Sequence, residues 1–378
     1  MNSDVLIIGG GVIGLSIARE LHKKGVGRIM IVERGEIGKE ASYAAAGMLA
    51  PNAEADGLDD FYRFCTESNK LYSRFADELF AETGVDIELD QSGTLYLAFT
   101  EEDSASLNER FEWQRNAALE VEHLSAEDTL GLEPFIAPDI CESLFFPGDG
   151  QVENRKLLSA LVKYAELNGI ELREHTEIQT LLLDGAKITG AESNTGKFRA
   201  DLTILATGAW TSLIKLGEAF VPVKVKPVRG QMISFHPAEK LFHKVIYSPK
   251  GYIVPRADGK ILVGATVEDA GFDMSITEAG VEQLRRAALE IAPGLGSLKI
   301  SEKWVGLRPF AMDGLPYLGE IPGYVNLFIA TAHYRNGILL APLTAKIMAE
   351  RIVEDKASEY MKIFSPQRHL INGNVYSF

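Results

Sequence analysis

Three glycines in the run Gly9-Gly10-Gly11-Val12-Ile13-Gly14 stand at the spacing GxGxxG, directly after the apolar stretch Val5–Ile8 and at the head of a helical pattern, Leu15–Lys24. Each has its own reason to be glycine in a phosphate-binding turn. Gly9 permits the tight turn, Gly11 lets the backbone approach a pyrophosphate, and Gly14 lets the helix lie close to the sheet. The helix start offers unpaired N–H groups and the positive end of its dipole to an anion. A glycine-rich turn that holds nothing can show the same pattern. Here, however, Glu33 ends a second apolar strand, Ile29–Glu33, 19 residues after Gly14. A carboxylate at that place accepts from ribose hydroxyls and repels a 2′-phosphate. The unit reads as an adenine dinucleotide site, NAD or FAD rather than NADP.

Three further segments offer close approach to a flat ring system. Ala41-Ser42-Tyr43-Ala44-Ala45-Ala46-Gly47-Met48 is built of small residues, although a plain linker would look similar. Leu205-Ala206-Thr207-Gly208 closes a strand on small side chains. The strand Val325–Ala330, followed by His333-Tyr334-Arg335-Asn336-Gly337 and a helix, supplies another N-terminus able to face the electron-rich edge of a flavin.

These segments need a scaffold, and composition bounds it. The chain has 378 residues, 46% hydrophobic and 24% charged, enough for two or three domains and an ordinary globular core. Its formal charge of −15 repels phosphate backbones, which argues against nucleic-acid binding. Cys65 and Cys141 form no CxxC, and the seven histidines form no HxxxH or HxH pair, so neither a disulfide framework nor a metal site has support. The N-terminus lacks a positive, long-apolar leader and no later run reaches a membrane span, so a soluble cytoplasmic protein with no membrane partner is expected.

The pattern predicts helices at Asp59–Glu82, Glu101–Asn116, Asn154–Asn168, Glu278–Ile291 and Gly337–Asp355. Strands are predicted within Val85–Phe99 around the turn Gln91-Ser92-Gly93, and at Asp201–Ala206. From Val221 to Thr266 the stretches VPVKVKPV, QMISF, KVIYS, YIVPR and KILVGAT alternate as an antiparallel sheet. The expected fold class is α/β. A Rossmann-like dinucleotide domain comprises residues 1–55, 145–215 and 315–378. A second domain, with a mostly antiparallel sheet and flanking helices, comprises 56–144 and 216–314.

Taken together, DVLIIGGGVIG, ASYAAAGML, DLTILATGAW, YIVPRADGKILVGAT, WVGLRPFAMDGLPYLG and HYRNGILLAP resemble the D-amino-acid-oxidase-type flavoproteins from about Asp4 to Ile352. The resemblance implies noncovalent FAD in a glutathione-reductase-like domain, and oxidative deamination of glycine and small related amines with O2 reduced to H2O2. The imine product would feed thiazole synthesis for thiamine, and the assembly would be a homotetramer. It further implies that Val12, Ile13 and Gly14, with Gly9 and Gly11, form the pyrophosphate turn. Glu33 and Arg34 would meet the adenosine, Ser42, Ala46, Gly47 and Met48 the pyrophosphate and flavin, and Ile178 the adenine. Thr207, Gly208 and the run His333, Tyr334, Arg335, Asn336, Gly337, Ile338 and Leu339 would meet the flavin. Arg308 and Tyr252 would hold the substrate carboxylate, with Arg335 a pocket arginine. Neither cysteine lies in a motif matching the covalent attachment of sarcosine oxidases.

The implied chemistry asks little of side chains. The substrate Cα–H must face flavin N5 with a neutral amine, so positioning dominates and no general base is required. A guanidinium is the best planar fork for a carboxylate, which suits Arg308. His333 is a tempting base, though a structural role fits it better. Lys250, two residues before Tyr252, would share its strand face and favour a second anionic group; a solvated lysine is the plainer alternative. Val267 is a further candidate for the pocket wall. Competing readings are a flavin D-amino acid dehydrogenase, a sarcosine oxidase, a flavin-bearing sensor without turnover, and an NAD-dependent dehydrogenase.

Overall fold

The computed structural model describes residues 2–369, and the last nine residues of the expected 315–378 segment lie outside it. Two large sheets organise the chain. In the first, parallel strands lie side by side in the order Glu171–Arg173, Ile29–Val32, Asn2–Ile8, Gly196–Leu205 and Leu327–Thr331, with Tyr317–Glu320 added antiparallel at the far side. The central strands are apolar on both faces because both are covered, one by helices and the other by the strands Ile178–Asp184 and Lys187–Ser193 with residues 214–225. Val12–Lys23 and Gly337–Glu354 pack on one face together with Asn154–Leu167. The register aligns Ile8 with Val32 and Leu205, and Leu205 with Ile329, so the carboxyl ends of four strands open along one edge. Ligands of open α/β sheets bind at that edge.

The second sheet runs Glu302–Phe310, Lys226–Phe235, Ile261–Gly264, Gly251–Pro255, Val245–Ser248, Thr94–Ala98, Glu142–Phe146 and Glu122–Ser125. All neighbours are antiparallel except Val245–Ser248 with Thr94–Ala98. Helix Glu278–Ile291, with buried Val281, Leu284, Ala288 and Ile291, covers the inner face, which Ile233, Ile246, Ile253 and Val263 supply.

Three expectations about elements are corrected. The helix expected over 59–82 is two, Asp60–Lys70 and Tyr72–Thr83, meeting at Leu71. On either side of that joint, the Ser68 hydroxyl donates to Leu339 O and Tyr72 OH to Ile338 O, so the chain bends to serve the first turn of Gly337–Glu354. Within 85–99 only Thr94–Ala98 is a strand; the preceding segment makes one bridge, Asp90 to Gln151. Finally, VPVKVKPV and QMISF are not two strands. Lys226–Phe235 runs unbroken through Arg229-Gly230, with Lys226 to Ser234 paired to Glu302–Phe310.

Candidate active site

The glycine turn forms where Asn2–Ile8 ends. A Cβ on Gly9, whose φ is +112°, would fall 2.3 Å from Ala206 O, and one on Gly14 would fall 2.0 Å from Gly9 O. The turn therefore closes only on bare backbone. Gly14 serves this packing and lines neither of the two cavities described below. The first N–H groups of a helix have no carbonyl to bond; that of Val12 donates to Ser42 Oγ at 3.0 Å. Glu33, buried, takes Gly10 N at 2.8 Å and Gly35 N at 3.2 Å. These two backbone donors hold the carboxylate at the carboxyl edge of the sheet.

A cavity of about 580 Å³ runs along this edge. Gly9, Gly11, Val12, Ile13, Glu33, Arg34 and Ser42 line one part of it, and Ile178 a second. Thr207, Gly208, His333, Tyr334, Arg335, Gly337 and Ile338 line a third. Leu339 is buried behind it, its carbonyl engaged by Ser68. The walls suit an extended dinucleotide: a helix start for phosphates, a fixed acid beside it, and a second helix start at Gly337. Trp210 also lines this cavity, with the Arg34 guanidinium stacked 4.0 Å from its ring centroid.

His333 is buried, and desolvation pushes its imidazole down to about 3, so it is neutral at ordinary pH; Nε2 hydrogen-bonds Thr344 Oγ1 at 3.1 Å. That bond ties His333 to the helix Gly337–Glu354 that follows it. Neither cysteine lines the cavity. Cys65 is buried with its thiol pushed up by desolvation, and Cys141 is exposed elsewhere.

A second cavity of about 380 Å³ adjoins the first, sharing Ala41, Ala45, Tyr334, Arg335 and Ile338 as walls. Ala46, Gly47, Met48 and Asn336 line it, as do Tyr252 and Arg308 from the second sheet. Arg308 pairs with Val228 across the strands, one register step from Leu307 and Arg229, and its side chain lies over Gly230. Its Nη1 donates to Thr266 O at 3.0 Å. Tyr252 is buried, its hydroxyl 3.2 Å from Met232 Sδ; burial pushes the phenol up, with the Arg308 charge pulling the other way. Arg335 reaches Glu54 Oε1 at 3.1 Å and the Tyr247 hydroxyl at 2.7 Å. Glu54 raises the Arg335 pKa further, and burial pushes Tyr247 up to about 12.

Lys250 does not share a strand face with Tyr252. Its residue lies in the turn before Gly251–Pro255, and its ammonium is 3.4 Å from Glu290 and 3.9 Å from the Phe99 ring centroid. The turn between Val245–Ser248 and Gly251–Pro255 breaks the alternation on which that expectation rested. Val267 is 63% exposed and lies on the cavity wall.

Sequence reasoning missed three supports. Glu54 and Tyr247 are as close to the second cavity as the arginines, and an acid at the end of an otherwise small, apolar segment was a readable signal for Glu54. Arg256, four residues after Tyr252, is fully buried. It donates to Gln151 Oε1, Val152 O, Ala46 O and Asn154 Oδ1, tying the small-residue segment to the neighbouring loop. Behind Arg308, Gln231 N donates to Thr266 Oγ1, which donates to Glu268 Oε1, while Arg229 Nη2 holds Glu268 Oε2 at 2.6 Å. This network fixes the segment whose carbonyl carries Arg308.

The chain is similar over nearly its whole length to known proteins. The glycine oxidase of Geobacillus kaustophilus is 35% identical over 97% of each chain, and its crystal structure superposes with a TM-score of 0.91 over 97% of this chain and 99% of that one. The glycine oxidase of Pseudomonas aeruginosa is 33% identical over 93% of this chain and 94% of its own. The chain also matches the bifunctional protein ThiO/ThiG of Synechocystis at 35% identity over 98% of its length, spanning about half (55%) of that longer relative. Residues 4–351 match the family described as DAO, FAD dependent oxidoreductase, and the chain belongs to that family.

Proposed function

We propose that this protein is a glycine oxidase, converting glycine, O2 and water to glyoxylate, ammonia and H2O2 by way of the imine. The observation that carries the reading is Arg308. It is a guanidinium with no carboxylate partner among the described residues, facing a small cavity that shares its walls with the dinucleotide cavity. Relatives named glycine oxidase, matched over nearly their whole length, support the same substrate.

In this reading the Gly9–Gly14 turn, Ser42, Glu33 and Arg34 hold the pyrophosphate and adenosine of FAD, and the loop from His333 into the helix at Gly337 holds its ring system. FAD held there would supply the two-electron acceptor for the substrate and the reactivity toward O2. Arg308 takes the substrate carboxylate as a charge-assisted fork, and the Tyr252 hydroxyl donates to the same group. Arg335 shapes the wall through Glu54 and Tyr247. No acid or base of the chain is needed, in keeping with a neutral, buried His333.

The same reading places the imine in the supply of thiazole, the enzyme in the cytoplasm, and four chains in the assembly. It assigns residues 1–55, 145–215 and 315–378 to the cofactor domain, and 56–144 and 216–314 to the substrate domain. No helix among the described residues is long and apolar enough to cross a membrane. The test is the visible spectrum of the purified protein without oxygen, before and after glycine. The expected result is a yellow protein that bleaches with glycine and recovers in air. A yellow protein unchanged by glycine but bleached by D-alanine or sarcosine would overturn the substrate assignment.

A further inference from the structure

Four charged side chains line the smaller cavity: Glu54, Lys250, Arg308 and Arg335. Their pairing is unequal. Lys250 Nζ is 3.4 Å from Glu290, and Arg335 Nη2 is 3.1 Å from Glu54. Arg308 bonds the Thr266 carbonyl and pairs with no described carboxylate. Of three cations, one is left to a substrate anion.

The consequence concerns molecules with a second carboxylate. Such a group needs a cation of its own, and Arg335, on the wall shared by both cavities, is the candidate. Glu54 already occupies Arg335, and side-chain relative exposures of 17% for Glu54 and 34% for Arg335 leave their pair only partly screened by water. A second anion therefore meets a neutralised arginine and a like charge beside it.

Resting on the glycine-oxidase reading, we propose that Glu54 is the specificity-determining residue that restricts this pocket to substrates bearing one carboxylate. It does so by holding the charge of Arg335. Glu54→Gln leaves Arg335 free for a second anion, so the pocket then accepts dicarboxylic amines.

The experiment uses the full chain with FAD bound. The ratio of kcat/KM for iminodiacetate to that for N-propylglycine, a similar-sized amine with one carboxylate, is measured in the parent and in Glu54→Gln. The expected result is a rise of at least tenfold in the variant. Calorimetric titration with malonate and with acetate reads the same preference without turnover: the malonate-to-acetate affinity ratio rises at least tenfold in Glu54→Gln. In Arg335→Gln, where Glu54 stands uncovered, it falls below the parent value, which keeps the inference open to refutation if Glu54→Gln does not fold. Ratios that stay at the parent value in either variant overturn the role of Glu54. A parent protein that does not oxidise glycine overturns the reading of the substrate instead, and the malonate and acetate ratios still decide the role of Glu54.

Discussion

Gly230→Ala tests whether the guanidinium of Arg308 owes its position to the bare backbone beneath it. A Cβ at residue 230 would stand 2.3 Å from Arg308 Nη1, 2.4 Å from Nη2 and 2.5 Å from Cζ, where ordinary contact begins at 3.4 Å. The planar head must retreat by about 1 Å, and a misplacement of that size in a positioning group costs up to roughly 10²-fold. The same figure follows from the bonds at stake. A charge-assisted hydrogen bond contributes about 1.5–3 kcal/mol, and each 1.4 kcal/mol is a factor of about ten, so kcat/KM for glycine should fall roughly 10- to 100-fold. Stability should not fall with it. Residue 230 lies in a strand outside the left-handed region, the obstructing atoms belong to the end of a flexible side chain, and alanine restricts the unfolded chain, which favours folding by about 0.4–1 kcal/mol. The assay is oxygen uptake over a range of glycine concentrations, paired with a thermal melt and the flavin content after gel filtration. A variant with normal melting, full flavin and an unchanged kcat/KM would refute the claim that Arg308 at this position clamps the substrate.

Two other perturbations separate positioning from chemistry. His333 is held neutral at about 3 by burial, against roughly 6.5 in an unfolded chain. The fold thus gains from the neutral ring above pH 6.5 and loses that gain as pH falls toward 3, because only the unfolded state then binds the proton. His333→Gln should leave the pH dependence of kcat between 6 and 10 in place and flatten the loss of the urea midpoint from pH 7 to pH 5; a shifted kcat profile would assign His333 to catalysis. Arg256→Met strands four buried acceptors, and a buried acceptor left unpaired costs about 1–3 kcal/mol. The expected outcome is a lower melting temperature and loss of FAD on gel filtration, while Arg256 as a mere surface-like cation would leave both unchanged.

What could be read from the chain, and what could not, divides by the distance over which the cause acts. The turn at Gly9–Gly14 and the acid at Glu33 were legible because their spacing lies within one strand–turn–helix–strand unit; the contact that keeps Gly14 bare is local, at Gly9 O, while the one that keeps Gly9 bare comes from Ala206 O, far along the chain. The helices at Glu278–Ile291 and Gly337–Glu354 were legible for the same reason, since apolar spacing is local. The single strand through Arg229-Gly230 was not. What keeps it continuous is nine residues of pairing with Glu302–Phe310, some 75 positions away, and a glycine that looked like a break is there to seat Arg308. Arg335 shows the limit most clearly. As a residue type in HYRNG it could clamp a substrate or pair within the fold. The choice is made by Glu54, 281 residues earlier, whose approach depends on Asp149 holding the turn at Asn52 and Ala53 through three N–H donors. The motif supplies the cation, but a remote loop supplies the acid that pairs with it, and no spacing within the motif carries that information.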